Sequence, residues 1–384
     1  MSKATKGVLV GLLVGPVIGF AVVTGAFSSS DNEDIANYPW VFGLMYGLLP
    51  GLLIGPVIGA LIGFVTDLKG RTALIGWSAL ALAFLTVAVL SASVWPFRNH
   101  EHSPKPPSEG EAFAAGHFPS DIAFDGACIW IANATACSVT KVICADGSTV
   151  GTYGVGGRAD VIAFDGKSIW VGSGCGVVRL GLDGSVLGSY GVGGEPCDMV
   201  FDGTNVWVGT NTSTCLTAFK ASDGTLAGSY SIGTMASYLA FDGTNLWVAG
   251  SHVIAKVNPS DGSVMGTYLH LDNMYSGPMA FDGTDLWVVD STGQAVVKVR
   301  TSDGGVLGKY KVGRQPQGIA FDGADIWVAN NDYNCTVTQL RASDGRHVKT
   351  WNVGSRGGDI VFDGEYIWAT QCDSDSVTRL SVAE

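Results

Sequence analysis

The apolar residues of this chain follow two rhythms that meet near residue 98. Before that point they run almost unbroken through residues 7–27, 39–65 and 72–97, and none of these runs contains Asp, Glu, Lys, Arg or His. At a helical rise of about 1.5 Å per residue, each is long enough to cross a hydrocarbon core, which predicts three transmembrane helices. Beyond residue 98 the apolar runs shorten and alternate with Gly, Asp, Ser and Thr, the texture of short strands joined by tight turns. The polar, proline-rich segment 98–110, "RNHEHSPKPPSEG", reads as a linker between the two regimes.

The second regime repeats itself. "FDG" begins at Phe124, Phe164, Phe201, Phe241, Phe281, Phe321 and Phe362, at spacings of 40, 37, 40, 40, 40 and 41. A tryptophan follows each: Trp130, Trp170, Trp207, Trp247, Trp287, Trp327 and Trp368. A second Asp-Gly turn falls later in the first six units, at Asp146, Asp183, Asp223, Asp261, Asp303 and Asp344. Units of this length with four strand-like runs (A to D) predict an all-β, seven-bladed β-propeller over residues 111–384. The seventh unit stops after its C run. However, "EAFAAGHFPSDIAFDG" at 111–126 aligns without a gap on "GTYGVGGRADVIAFDG" at 151–166, so residues 111–115 are expected to supply the missing outer strand.

Charge orients the apolar region. Lys3 and Lys6 precede the first run and Lys69 and Arg71 separate the second from the third, whereas "SSSDNEDIAN" between the first two carries acids only. The positive-inside rule then places the propeller outside the cytoplasm of a multi-pass membrane protein. A cleaved signal peptide over the first run is the competing reading, and it leaves that topology unchanged. Glycines recur every fourth residue at Gly7, Gly11, Gly15 and Gly19, and again at Gly43, Gly47, Gly51, Gly55, Gly59 and Gly63. On helices these form grooves without side chains, suited to close helix packing within the chain, to a homo-oligomer or larger membrane complex, or to a channel capped by the propeller. The net charge of −12 argues against a nucleic-acid partner.

All eight cysteines lie in the propeller region: Cys128, Cys137, Cys144, Cys175, Cys197, Cys215, Cys335 and Cys372. The even number predicts disulfides, with Cys128–Cys144 reasonable across a hairpin, Cys335 and Cys372 in loops of neighbouring blades, and the other pairings open. The B–C loops and the D–A connections between blades share one face and hold most of the variation, which makes that face the expected binding surface. Candidate residues there are Asp121, Asp160, Asp198 and Asp359, which either ring a cation or pair with Arg158, Arg314 and Arg356. His252 and His270 fall on the same side of adjacent blades and offer two ligands of a metal site without a third.

The run "AFDGTNLWVAGSHVIAKVNPSDGSVMGTY" and its siblings resemble bacterial propellers of the YVTN and virginiamycin B lyase-like group, over residues 111–384. For the lyases the resemblance implies His and Glu on the loop face with a divalent metal, the Glu often three residues after the tryptophan. Those positions here hold Asn133, Ser173, Thr210, Gly250, Asp290, Asn330 and Gln371, and no His is recognised at the start of an inner strand. No catalytic residue or cofactor is therefore carried over. The expectation is a membrane-anchored binding or assembly module for a protein or glycan partner; the alternative is a metal-dependent lyase or lactonase.

Overall fold

The structure, a computed structural model, describes the backbone of residues 8–14 and 18–24, and residues 109–250, 253–268, 276–332, 335–354 and 356–382 in full. The chain divides into two units, Met1–His100 and Glu101–Glu384. In the first, Val8–Val14 and Ile18–Thr24 pair as an antiparallel hairpin, with Gly11 opposite Ala21 and Leu13 opposite Gly19. This differs from the helix expected over residues 7–27. Half of the residues in the two strands are Val, Ile or Thr, whose branched side chains favour extended backbone. Gly11 and Gly19 consequently do not lie on one helical stripe. Gly7, Gly15, the glycines from Gly43 to Gly63, and the runs 39–65 and 72–97 lie outside the described residues. Among those described, no helix is long and apolar enough to cross a membrane.

The second unit is a seven-bladed propeller of four-stranded antiparallel sheets, in sequential order in the first six blades. Blade 1 shows the pattern: inner strand Pro119–Phe124, then Cys128–Asn133, Ser138–Ile143 and the outer strand Thr149–Gly154. Burial follows position within the blade. The second strand is buried at every residue because neighbouring blades cover both of its faces, whereas the outer strand alternates between exposed and half-buried residues.

One hydrogen-bonded unit recurs in all seven blades. The carboxylate of Asp125 accepts the backbone N–H groups of Ala127 and Cys128 at 2.9 and 2.7 Å through Oδ1, and the indole N–H of Trp130 at 2.7 Å through Oδ2. Gly126 completes this turn at φ +97°, a conformation that excludes most side chains. Equivalent indole bonds reach Asp165, Asp202, Asp242, Asp282, Asp322 and Asp363 at 2.6 to 2.9 Å. All seven indoles are fully buried, and each is covered by an aromatic ring of its own outer strand.

A cation directly across the sheet from the tryptophan ties five of the blades to the next. Lys141 lies over Trp130 and donates to the Leu182 carbonyl of blade 2 at 2.7 Å. Arg179, Lys256 and Lys298 reach the carbonyls of Ala221, Thr301 and Ala342 in the same way. Blade 3 has Ala218 at this position and blade 6 has Gln339.

Closure obeys the same rules. Strand Glu111–Ala114 pairs with Ser376–Ser381 as the outer strand of blade 7. Phe113 stacks on Trp368 as Tyr153 stacks on Trp130. Its ring fills the space where a Cβ on Gly147 of blade 1 would fall, just as Tyr153 does at Gly184. Arg379 adds the blade 7 to blade 1 tie through the Cys144 carbonyl at 2.6 Å and pairs with Glu111 of the closing strand. Phe113→Ala should lower the unfolding free energy by about 3 kcal/mol. In urea denaturation followed by hydrogen exchange, the loss of protection should begin in the strand Ser376–Ser381; loss spread evenly over all blades would contradict this account of the seam.

Candidate functional site

The Asp-Gly turns occupy one end of the propeller, and the B–C loops with the D–A connections occupy the other. The expected site residues of this loop end separate into three environments.

The first is the mouth of the central channel. Asp121 Oδ1 accepts the N–H of Ile122 at 2.7 Å, and Oδ2 accepts the N–H of Ile162, on the inner strand of the next blade, at 2.7 Å. Asp198 bridges Met199 and Leu239 in the same manner. The carboxyl of Asp359 is hydrogen-bonded to that of Asp121 across the seam between blades 7 and 1. These acids therefore satisfy inner-strand N–H groups that lack a neighbouring strand. Neither a cation ring nor arginine pairing describes them. Only Asp160 has the expected arginine, with Arg158 Nε at 2.6 Å in an exposed pair. Among the described residues, no group of three or more His, Cys, Asp or Glu side chains is arranged to hold a metal. His252 and His270 lie outside the described residues.

Burial raises all three channel carboxyls. Asp198 is pushed up to about 7, chiefly by burial. Asp359 is held well above the usual carboxylate range by burial and by the charge of Asp121, which is itself raised by burial.

The second environment is that of the cysteines. All eight are free thiols in the structure, contrary to the expected disulfides. The hairpin register sets Cys128 opposite Ile143, leaving Cys144 one position out of step. Cys335 accepts the N–H of Gly357 at 2.7 Å, while Cys372 donates to the Pro119 carbonyl at 3.2 Å, so each sulfur is engaged with backbone. Burial pushes the Cys144 thiol up to about 12 and that of Cys197 up to about 11, which disfavours the nucleophilic thiolate. Cys137 and Cys175 are exposed in the B–C loops of blades 1 and 2, and Cys215 is half-buried.

The third environment is a cleft of about 370 Å³ where blades 6 and 7 meet the loop face. Arg314 and Gln315 line it from the connection before blade 6, and Arg356 lines it from the connection before blade 7. Asn331, Asp332 and Asp373 come from the intervening B–C loops. Arg356 lies over the Phe118 ring at 5.5 Å. Phe118, at φ +57°, has its N–H held by Asp375 Oδ1 at 2.9 Å. Thr336 Oγ1 donates to Asp332 at 3.0 Å. The structure thus brings Arg314 and Arg356 to one cleft. Gln315, Asn331, Asp332 and Asp373 stand in variable loops, where no repeat or spacing sets them apart in the sequence.

His117 is a further residue of this face. It does stand in the connection that leads into an inner strand, contrary to the expectation that no His does, and its Nδ1 lies 2.8 Å from Asp375 in an exposed pair. The positions three residues after the tryptophans point inward: Asn133, Thr210, Asp290, Asn330 and Gln371 are each no more than 2% exposed. Asn133 donates to Thr140 and accepts the N–H of Gly116, and Asp290 accepts from Lys309 at 2.7 Å.

No protein-family model matches the chain, and a search of curated proteins returns no match. Solved structures do resemble it. Hydrazine synthase of Kuenenia stuttgartiensis superposes with a TM-score of 0.62 at 16% identity, over 75% of this chain and 99% of that one. A catalytically inactive virginiamycin B lyase from Staphylococcus aureus, solved with quinupristin, gives 0.60 at 18% identity over 72% and 100%. The WD40 propeller domain of Doa1 gives 0.62 at 16% over 72% and 98%. At these identities the likeness shows the propeller fold alone.

Stability should fall as pH rises from about 4 to about 7. Over that window the folded state keeps protons on Asp198 and Asp359 that the unfolded chain, with carboxyls near 3.9, has released. Asp359→Asn retains an N–H donor toward Asp121 and cannot ionise, so the decrease in urea midpoint between pH 5 and pH 8 should be smaller in this variant. An unchanged decrease would remove the pair from the account.

Proposed function

We propose that this chain is a non-catalytic binding or assembly module, fixed to a membrane by its first 97 residues and presenting the loop face of its propeller outside the cytoplasm to a protein or glycan partner. The observation that carries the reading is the division of labour between the two ends of the propeller. The turn end repeats one carboxylate and indole arrangement in every blade, with a cation across the sheet in five of them, while the loop end differs from blade to blade and holds the cleft between blades 6 and 7. Such diversity on a rigid frame suits recognition.

With residues 8–14 and 18–24 paired as a hairpin, anchorage rests on the length and lack of charge of the apolar runs 39–65 and 72–97, and orientation on the bases Lys69 and Arg71 between them. Lyase or lactonase chemistry has no comparable support. The positions at which the resemblance implied Glu carry other residues, and five of the seven are buried and turned inward.

Cys137 and Cys175 provide natural reporters. A membrane-impermeant maleimide should label Cys137 in intact cells, and labelling only after lysis would reverse the orientation. A bulky maleimide on both thiols of the gently solubilised chain should displace the partners that co-purify with the unlabelled chain. Retention of the same partners by the labelled chain would exclude the loop face of blades 1 and 2 as their seat.

A further inference from the structure

The cleft between blades 6 and 7 combines charges of both signs in an order fixed by the fold. Its cations, Arg314 and Arg356, come from the two D–A connections, and its anions, Asp332 and Asp373, come from the two B–C loops. In a propeller these segments alternate around the loop face. Two arginines and two aspartates therefore line one small space, together with Gln315 and Asn331. Two bare anions would meet Asp332 and Asp373, and two bare cations would meet the arginines. A ligand carrying one charge of each sign can face both kinds of group at once.

The cleft is also partly organised before any ligand arrives. Arg356 is supported by the Phe118 ring, and the Phe118 backbone is held by Asp375. The carbonyl of Arg356 accepts the N–H of Cys372 at 2.8 Å, which joins the connection before blade 7 to that blade's B–C loop. Asp332 is steadied by Thr336 Oγ1 through its side chain, and by Cys335, whose N–H donates to the Asp332 carbonyl at 3.1 Å. Groups fixed in this way lose less freedom on binding. A volume of about 370 Å³ lies at the small end of ligand sites and matches a molecule of a few residues at most.

We infer that this cleft is a binding site for a small zwitterion, an α-amino acid or short peptide, whose carboxylate is taken by Arg314 and Arg356 and whose ammonium group is taken by Asp332 and Asp373. The inference rests on the reading of the loop face as the recognition surface and adds a small ligand, at one place on that face, to the protein or glycan partner.

The test is calorimetric titration of the full chain in detergent with four probes: L-alanine, L-alanyl-L-alanine, N-acetyl-L-alanine and L-alaninamide. At least one of the two zwitterions should bind saturably, and which of them binds more tightly separates a free amino acid from a peptide. Blocking the amine or the carboxylate should weaken binding at least tenfold. Arg356→Gln and Asp373→Asn alter exposed side chains, so the fold should persist. Each should weaken the zwitterion at least tenfold, while Arg158→Gln, outside the cleft on the same face, should not. Absence of saturable binding by either zwitterion, equal binding of the blocked probes, or full binding by Arg356→Gln would each overturn the assignment. Displacement of partners by labels on Cys137 and Cys175 is measured on blades 1 and 2, so a failure of the cleft is distinguishable from a failure of the loop face.

Discussion

The propeller depends on one carboxylate per blade. The aspartate that follows the phenylalanine of each inner strand uses one oxygen to close the turn and the other to hold the indole of the second strand. The turn is thereby tied to the tryptophan, and the tryptophan lies in the core between two blades. Burying an indole N–H without an acceptor is costly, so the aspartate is needed wherever the tryptophan is. Lysine or arginine across the sheet then relieves the buried carboxylate, covers the ring face and donates to a carbonyl of the next blade. Arg179 does all three, lying over Trp170, within 3.8 Å of Asp165 and bonded to Ala221. Because a single side chain joins sheet, turn and neighbour, the repeat tolerates little variation at that end.

A ring of seven equal parts still needs a closing step, and the chain closes it with non-covalent contacts of the same kind used elsewhere. Phe113, Arg379 and Gly147 play at the seam the parts that Tyr153, Lys141 and Gly184 play between blades 1 and 2. The seam differs in one respect. Asp359 and Asp121 meet there carboxyl to carboxyl, and only one of the two can be charged at low cost. The channel mouth is thus most comfortable with a proton at the junction of first and last blades.

Much of this architecture is legible in the chain because it is written seven times. Spacing alone marks the phenylalanine, aspartate, glycine and tryptophan, and the gapless alignment of residues 111–126 on 151–166 points to the source of the closing strand. The bond from indole to aspartate is not legible, since nothing in a linear pattern distinguishes a turn-capping carboxylate from one that also reaches a side chain five residues on. The channel acids mislead for a related reason. Asp121 and Asp198 resemble ligands in sequence, yet each is engaged by two backbone N–H groups, one of them from a neighbouring blade. The cysteines mislead because an even number says nothing of register, and Cys128 faces Ile143. The hairpin at the amino terminus shows the limit of length and hydropathy, which do not separate a helix from paired strands when half the residues are Val, Ile or Thr.

The cleft between blades 6 and 7 was hidden for a different reason, which also bears on how net charge is read. Many of the acids behind the formal −12 are turn aspartates, such as Asp146, Asp183 and Asp223, whose carboxylates are held low by hydrogen bonds from the residues that follow them. Their charge belongs to the structural end of the propeller. At the loop end, Arg314, Arg356, Asp332 and Asp373 balance one another within one cleft. A sum over the whole chain averages these two ends and describes neither. Electrostatic recognition acts within about one Debye length of a ligand, so the mixture of signs at the cleft, and not the overall acidity, is the charge that a molecule bound there would meet.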